Sequence, residues 1–242
     1  MNLNLWQNNF MRIVSWNMRK NKSAWDYFFQ TLNPDVALLQ ESSPTNENYA
    51  FNISSVLVKK NLNNSILYKN QEVLKLPIED KDLMGIIASR YKADDSDIFF
   101  LSIYGNLSFV GNLDYVLQKT IKHYVDMMRS KFDAKDIIVS GDFNMDRRMD
   151  ENPTTSRFSK KGETRHNDFF DSILDLGFND CLRKFHTLPI QTYRHNRGIY
   201  PWELDHMFCT DVLYERLKAI NVYVDDNILS LSDHNPIVAE FE

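Results

Sequence analysis

Short apolar runs rich in β-branched and aromatic residues recur along this chain, too short and too frequent for an all-helical protein. They read MRIVSW, DVALLQ, ISSVLV, SILY, EVLKLPI, GIIASRY, IFFLSIY, DIIVSG, LDHMFC, INVYV and PIVAEF, about eleven strand candidates. Helical periodicity separates some of them. SAWDYFFQTL has Ser23 placed as an N-cap, NLDYVLQKTIKHYVDMMRSKF carries apolar residues at i, i+3 and i+4, NDFFDSILDL is closed by Gly177, and VLYERLK is a shorter candidate. Strands outnumber helices by more than two to one. That ratio disfavours a simple alternation of strand and helix and predicts packed sheets with helices on their outer faces. No internal repeat, low-complexity tract or linker divides the chain, so residues 1–242 read as a single domain.

Composition narrows the class. With 43% hydrophobic and 13% aromatic residues in 242, the chain can bury a substantial core. No run of about 18 apolar residues offers a membrane span, and the N-terminus lacks the pattern of an export signal. A cytoplasmic protein, working away from membranes and as a monomer, is the expectation. Cys181 and Cys209 are too few for a disulfide framework and read as buried thiols. The net charge of −5 hides an uneven distribution. Residues 147–165 hold six basic against three acidic residues, residues 181–201 hold four basic and no acidic ones, and the remainder carries −12. Taken alone, such runs are solvated loops more often than binding surfaces.

Chemistry-bearing residues gather where strands end. RIVSWN ends at Asn17, VALLQE at Glu41, and IIVSGDFN at Asp142 and Asn144; Asp233 and His234 stand in SDHNP, just before the last strand candidate. Asp205, in WELDHMF, sits at a strand start. Each has a plain alternative. Asn17 and GDFN suit turns, Glu41 suits a loop start, and His234 suits a packed histidine. The recurrence at one kind of position is what turn chemistry alone does not supply. Glu41 and Asn17 bring hard oxygen donors suited to Mg²⁺ or Mn²⁺ rather than zinc. Asp205 and His234 form a candidate carboxylate–imidazole pair, and Asp142 can take a proton from water. Together these are tools for phosphate-ester hydrolysis.

In this order the segments WN (16–17), LLQE (38–41), GDFN (141–144), LDH (204–206) and SDHNPI (232–237) resemble the endonuclease/exonuclease/phosphatase family of metal-dependent phosphoesterases. The resemblance runs from Arg12 to Glu242. It implies an α+β fold, a four-layer sandwich of two mixed β-sheets packed face to face with helices outside. It also implies that Glu41 is the main metal ligand with Asn17 beside it and Asp233 nearby, that Asp142 and Asn144 flank the scissile phosphate, and that His234, paired with Asp205, contacts it. The family's Tyr or His after a central strand corresponds to Tyr104, with Asn106 a weaker candidate. Two positions depart from the pattern. Arg19 stands where apurinic-site enzymes tend to have an acid, and His206 replaces an aromatic.

The resemblance fixes a phosphate ester but not which one. The basic segments directly follow GDFN and directly precede Asp205, which favours nucleic acid. Arg147, Arg148, Lys160, Lys161, Arg194 and Arg197 are the expected phosphate contacts, and Tyr193, Tyr200 or Trp202 the stacking faces. An inositol phosphate or phospholipid headgroup is the alternative, and an inactive nucleic-acid-binding module the second. Whether Asp142 or the Asp205–His234 pair is the base stays open at this stage.

Overall fold

The computed structural model describes residues 10–43, 51–59, 62–77, 85–93, 96–105, 112–151, 164–194 and 200–242. Among the described residues two six-stranded sheets pack face to face. The first is ordered β11-β12-β1-β2-β4-β3, from β1 (Met11–Asn17), β2 (Val36–Ser42), β3 (Phe51–Lys59), β4 (Leu62–Lys69), β11 (Leu217–Val222) and β12 (Ile237–Phe241). The second is ordered β5-β6-β7-β8-β10-β9, from β5 (Leu74–Lys75), β6 (Ile87–Lys92), β7 (Asp97–Tyr104), β8 (Asp136–Asp142), β9 (Phe178–Asp180) and β10 (Asp205–Thr210). Each sheet has one parallel pair at its centre, β1–β2 and β7–β8, and antiparallel strands around it. The sandwich expected from the sequence is the fold observed.

Period-two alternation explains the layering. On β1, Ile13 joins the core between the sheets with Leu38, Ile66, Phe100, Ile138 and Met207, while Val14 and Trp16 face outward. Against that outer face pack Trp25, Phe28 and Leu32 from α1 (Ala24–Tyr27) and the π turn that continues it (Phe28–Leu32). The second sheet is covered by α2 (Leu113–Phe132) and α3 (Arg165–Asp175), whose Leu117, Ile121, Tyr124, Phe169 and Phe170 meet Phe99, Val139 and Phe208. Short helices α4 (Asp211–Arg216) and α5 (Asp226–Leu231) flank β11.

Several local expectations change. Ser23 makes no side-chain cap; the Asn21 side chain instead accepts the Ser23 N–H at 3.0 Å. EVLKLPI contributes two strand residues, Leu74–Lys75. Neither β9 nor α5 was among the sequence candidates. Cys181 and Cys209 are buried as expected, with their Sγ atoms 3.3 Å apart.

The face between the sheets grades from apolar to polar along the strands. Beyond the aliphatic layer, Gln40 donates to Ser102 Oγ (3.2 Å), Ser102 donates to Asn64 Oδ1 (2.6 Å), and Asn64 donates back to Ser102 O (2.9 Å), all buried between sheets. One step further come Asn17, Tyr104, Asp142 and Asp205. Glycines make the close approach at this end feasible. A Cβ on Gly141 (φ 147°) would lie 2.0 Å from Ile103 O, and one on Gly105 would lie 2.3 Å from Phe143 O. Gly141 precedes Asp142 because β7 and β8 touch there, backbone on backbone. Gly141→Ala is expected to cost roughly 3 kcal/mol through strain and overpacking, read as a lower urea midpoint. A loss under about 1 kcal/mol would mean the two strands part without strain.

Candidate active site

Each of the central strands ends by presenting a polar side chain to the gap between the sheets. Asn17, Tyr104 and Asp142 do so by alternation from Ile13, Phe100 and Ile138 on the same inner face. Glu41 does not. Alternation from the outward-facing Ala37 and Leu39 would send it outward, but the register with β4 shifts between Leu39 and Ser42 and Glu41 adopts φ 46°. The bulge re-aims the carboxylate inward, where it accepts the Tyr104 hydroxyl at 2.7 Å. Burial first, then the charge of Glu41, drives the Tyr104 phenol well above its ordinary pKa, so it stays the donor.

Asp142 and Asp205 are opposite partners in the β8–β10 ladder. His234 reaches them from the segment before β12: its Nδ1 lies 2.8 Å from Asp205 Oδ2 and its Nε2 3.8 Å from Asp142 Oδ2. Thr192 Oγ1 accepts the N–H groups of Leu204 and Asp205, both at 2.9 Å, which fixes the start of β10. The Ser232 hydroxyl donates to Asn17 O (2.7 Å) and accepts His234 N–H (3.0 Å), and Trp16 Nε1 donates to His234 O (3.0 Å). Thr192 and Ser232 were not among the sequence candidates. A threonine far along the chain gives no signal, and Ser232 was hidden in plain view within SDHNP.

Asp142 accepts Asn17 Nδ2 at 2.9 Å, Asn144 N–H at 2.9 Å and Asn144 Nδ2 at 3.2 Å. Burial, opposed by His234 and reinforced by Asp205, raises this carboxyl to about 7. For His234 burial alone would lower the pKa, but Asp205 and Asp142 outweigh it and bring it up to about 9. Without a cation beside it, the ring is favoured in its charged form at neutral pH. Ligand-type atoms of Asp142, Asp205 and His234 converge within 4.8 Å, an arrangement that can hold a metal ion or, with the ring charged, work as a proton and hydrogen-bond array. The hard oxygens suited to a divalent cation are those of Glu41, Asn17, Asp142 and Asp233, together with Asp205 Oδ1, which is buried without a hydrogen-bond partner among the described residues.

The remaining sequence candidates fall into different settings. Asn144 (φ 53°) also donates Nδ2 to Gly105 O at 2.7 Å, so its amide hydrogens hold the loop. Asp233 lies at the cleft, partly exposed. Tyr193 pairs in isolated bridges with Trp202 and His234 and packs on the His234 ring at 4.7 Å. Four of the expected substrate contacts already have protein partners. Trp202 is only 8% exposed, packed with Tyr200 and Leu204, and presents no open stacking face. Arg194 donates to Asn235 Oδ1 and Ser232 O, bracing the His234 segment. Arg148 is paired with Asp146 and donates to Pro201 O at 2.7 Å, while Arg147 donates to Asp171 at 2.7 Å. Lys160, Lys161, Arg197 and Asn106 lie outside the described residues.

No protein-family profile matches the sequence, and no curated protein matches it. Solved structures do. The chain superposes on an AP endonuclease from Leishmania major with a TM-score of 0.73 at 17% identity, covering 96% of this chain and 88% of that one. A 3'-5' exonuclease from Neisseria meningitidis gives 0.71 at 19%, covering 96% and 100%. An AP endonuclease from Archaeoglobus fulgidus gives 0.71 at 20%, covering 96% and 99%. The chain has the fold of these phosphoesterases, the one implied by its resemblance to the endonuclease/exonuclease/phosphatase family.

The charge on His234 has a measurable signature in stability. Its folded pKa lies above the ordinary 6.5, so its stabilising contribution is complete below that pH and vanishes as pH rises through about 9. Asp142, raised from 3.8 to about 7, acts in the same direction over its own lower range. Urea unfolding is expected to lose on the order of 3 kcal/mol between pH 6.5 and 9, and His234→Gln to flatten that slope. An unchanged slope in the variant would remove the imidazolium assignment.

Proposed function

We propose that the protein is a divalent-metal-dependent phosphodiesterase that hydrolyses nucleic acid through in-line attack by water. The observation that carries the reading is the buried Asp142–His234–Asp205 array beside Glu41, at one end of a fold it shares with nucleases. Its roles divide by protonation. His234, held by Asp205 and charged to about pH 9, donates from Nε2 to a phosphoryl oxygen. Asp142, titrating near 7, is matched to taking a proton from water at neutral pH, and a group that is still protonated there is not. This favours Asp142 over the Asp205–His234 pair as the base. Glu41, with Asn17 and Asp233 alongside, would hold Mg²⁺ or Mn²⁺, while Tyr104 fixes the Glu41 carboxylate. When bound, such a cation neutralises charge on the phosphoryl oxygens.

Nucleic acid as substrate draws on the two basic segments and on the neighbours, one of which is described as a 3' phosphatase from Neisseria bound to product DNA hairpin. Lys160, Lys161 and Arg197 are the proposed backbone contacts, with Tyr193 at the cleft as a stacking face. A small phosphoester is the second reading. It is favoured by Arg147 and Arg148 being already matched with Asp171 and Asp146.

The test is Mg²⁺-dependent cleavage of labelled single- and double-stranded DNA and RNA. His234→Ala is expected to reduce turnover by about 10²–10⁴-fold, with a cooperative melting transition lowered but still present. Near-normal turnover in that variant would sink the assignment of the array. Glu41→Ala is expected to raise the Mg²⁺ concentration for half-maximal activity by at least about tenfold. Phosphate release from small phosphoesters, with no cleavage of any polynucleotide, would select the second reading.

A further inference from the structure

The loop after β1 holds two consecutive non-glycine residues in the left-handed region, Arg19 (φ 50°) and Lys20 (φ 58°). Such a conformation is strained for a residue with a Cβ, and a loop that only had to turn would use glycine or asparagine. Here bonds to the cleft residues impose it. Arg19 N–H donates to Asn17 Oδ1 at 3.0 Å, Lys20 N–H to Glu41 O at 2.8 Å and Asn21 N–H to Met18 O at 3.0 Å, while Asn21 Nδ2 anchors on Leu231 O at 2.9 Å. The strained loop brings the Arg19 side chain to Asp233, with Nε 3.7 Å from Oδ2. It is also near enough to Tyr193 to offset part of the effect of Asp233, Asp142 and Glu41 on that phenol.

That ion pair is loose. Charge-assisted hydrogen bonds settle at about 2.7–2.9 Å, and the Arg19 side chain is 54% exposed against 22% for Asp233. Arg147, Arg148 and Arg183 each donate to a carboxylate partner, and Arg194 to Asn235 and Ser232. Charge balance adds a reason for a mobile cation. Glu41, Asp142, Asp205 and Asp233 surround the site, and an anionic phosphate entering among them needs positive groups that are not already committed.

We propose that Arg19 is a substrate-binding residue that rests on Asp233 in the free protein and moves to a non-bridging phosphate oxygen when substrate enters. The proposal rests on the phosphoesterase reading above. A guanidinium on a rigid backbone, tethered only loosely through Nε, can make that exchange without rearranging the loop. The alternative is a static role, in which Arg19 only neutralises Asp233.

Arg19→Gln and Arg19→Lys separate the two. Fluorescence anisotropy of a labelled oligonucleotide in EDTA, between about 50 and 200 mM salt, reads binding without turnover. Steady-state kinetics on whichever phosphoester the wild type hydrolyses read KM against kcat. Arg19→Gln is expected to raise Kd and KM about tenfold and to reduce the salt slope by about one. Arg19→Lys should recover part of the affinity, kcat should fall less than KM rises, and the urea midpoint should hold. If the wild type is active and Arg19→Gln keeps its KM while losing stability, Arg19 serves Asp233 alone and the proposal is overturned. If the wild type neither binds polynucleotide nor hydrolyses any phosphoester, both this proposal and the functional reading fall.

Discussion

Three hydrogen bonds cross between the two sheets at one end of the sandwich, and each has one partner on either side. Asn17, ending β1, donates to Asp142 at the end of β8; Tyr104, ending β7, donates to Glu41 on β2; His234, just before β12, meets Asp205 at the start of β10. Nothing within a single sheet can make any of them. The cleft is therefore a property of how the sheets dock, and a slip of one residue along any strand would turn its polar group into a helix-packed face. The Gln40, Ser102 and Asn64 network just behind the cleft fixes the same register from within the core.

Burying so many polar groups carries an electrostatic cost. Asp142, Asp205 and His234 are each at least nine-tenths removed from solvent. The arrangement is tolerable because the imidazolium stands between two carboxylates, each stabilising its charge, and because Asp142 receives N–H donors from Asn17 and Asn144. The same opposition of burial and charge brings Asp142 up to neutrality and His234 above it. Stability and proton inventory at this site are two readings of one balance.

Most of the strands, the long helix α2 and the carboxylates at the strand ends were legible in the sequence, because period-two and 3.6-residue patterns report burial directly. What was not legible depended on partners distant in the chain. β9 is three residues, Phe-Asn-Asp, with little strand character of their own; it exists because it pairs with Phe208, Cys209 and Thr210. The α5 helix had a readable start, since the Asp225 side chain accepts Ile228 N–H at 2.7 Å, but six residues are too few for periodicity to show. Glu41 was identified from its neighbours in sequence, whereas alternation alone points it the wrong way and only the bulge corrects it. The basic runs looked available for substrate because their counter-charges, Asp171 for Arg147 and Glu203 for Arg183, lie more than a dozen residues away. Trp202 shows the same limit: its aromatic character is plain, its burial is not.

The division of the chain between the sheets orders the assembly of the cleft in time. All six strands of the second sheet come from one continuous stretch, β5 to β10, whereas the first sheet combines β1 to β4 with β11 and β12 from beyond that stretch. A ribosome therefore releases Glu41, Tyr104, Asp142 and Asp205 before Asp233 and His234. Until β12 enters beside β1, the carboxylates have no imidazolium to balance them and the cleft lacks one of the bonds that cross it. Completion of the first sheet and completion of the charge array are one event, so a nascent chain cannot hold the finished site ahead of the finished fold.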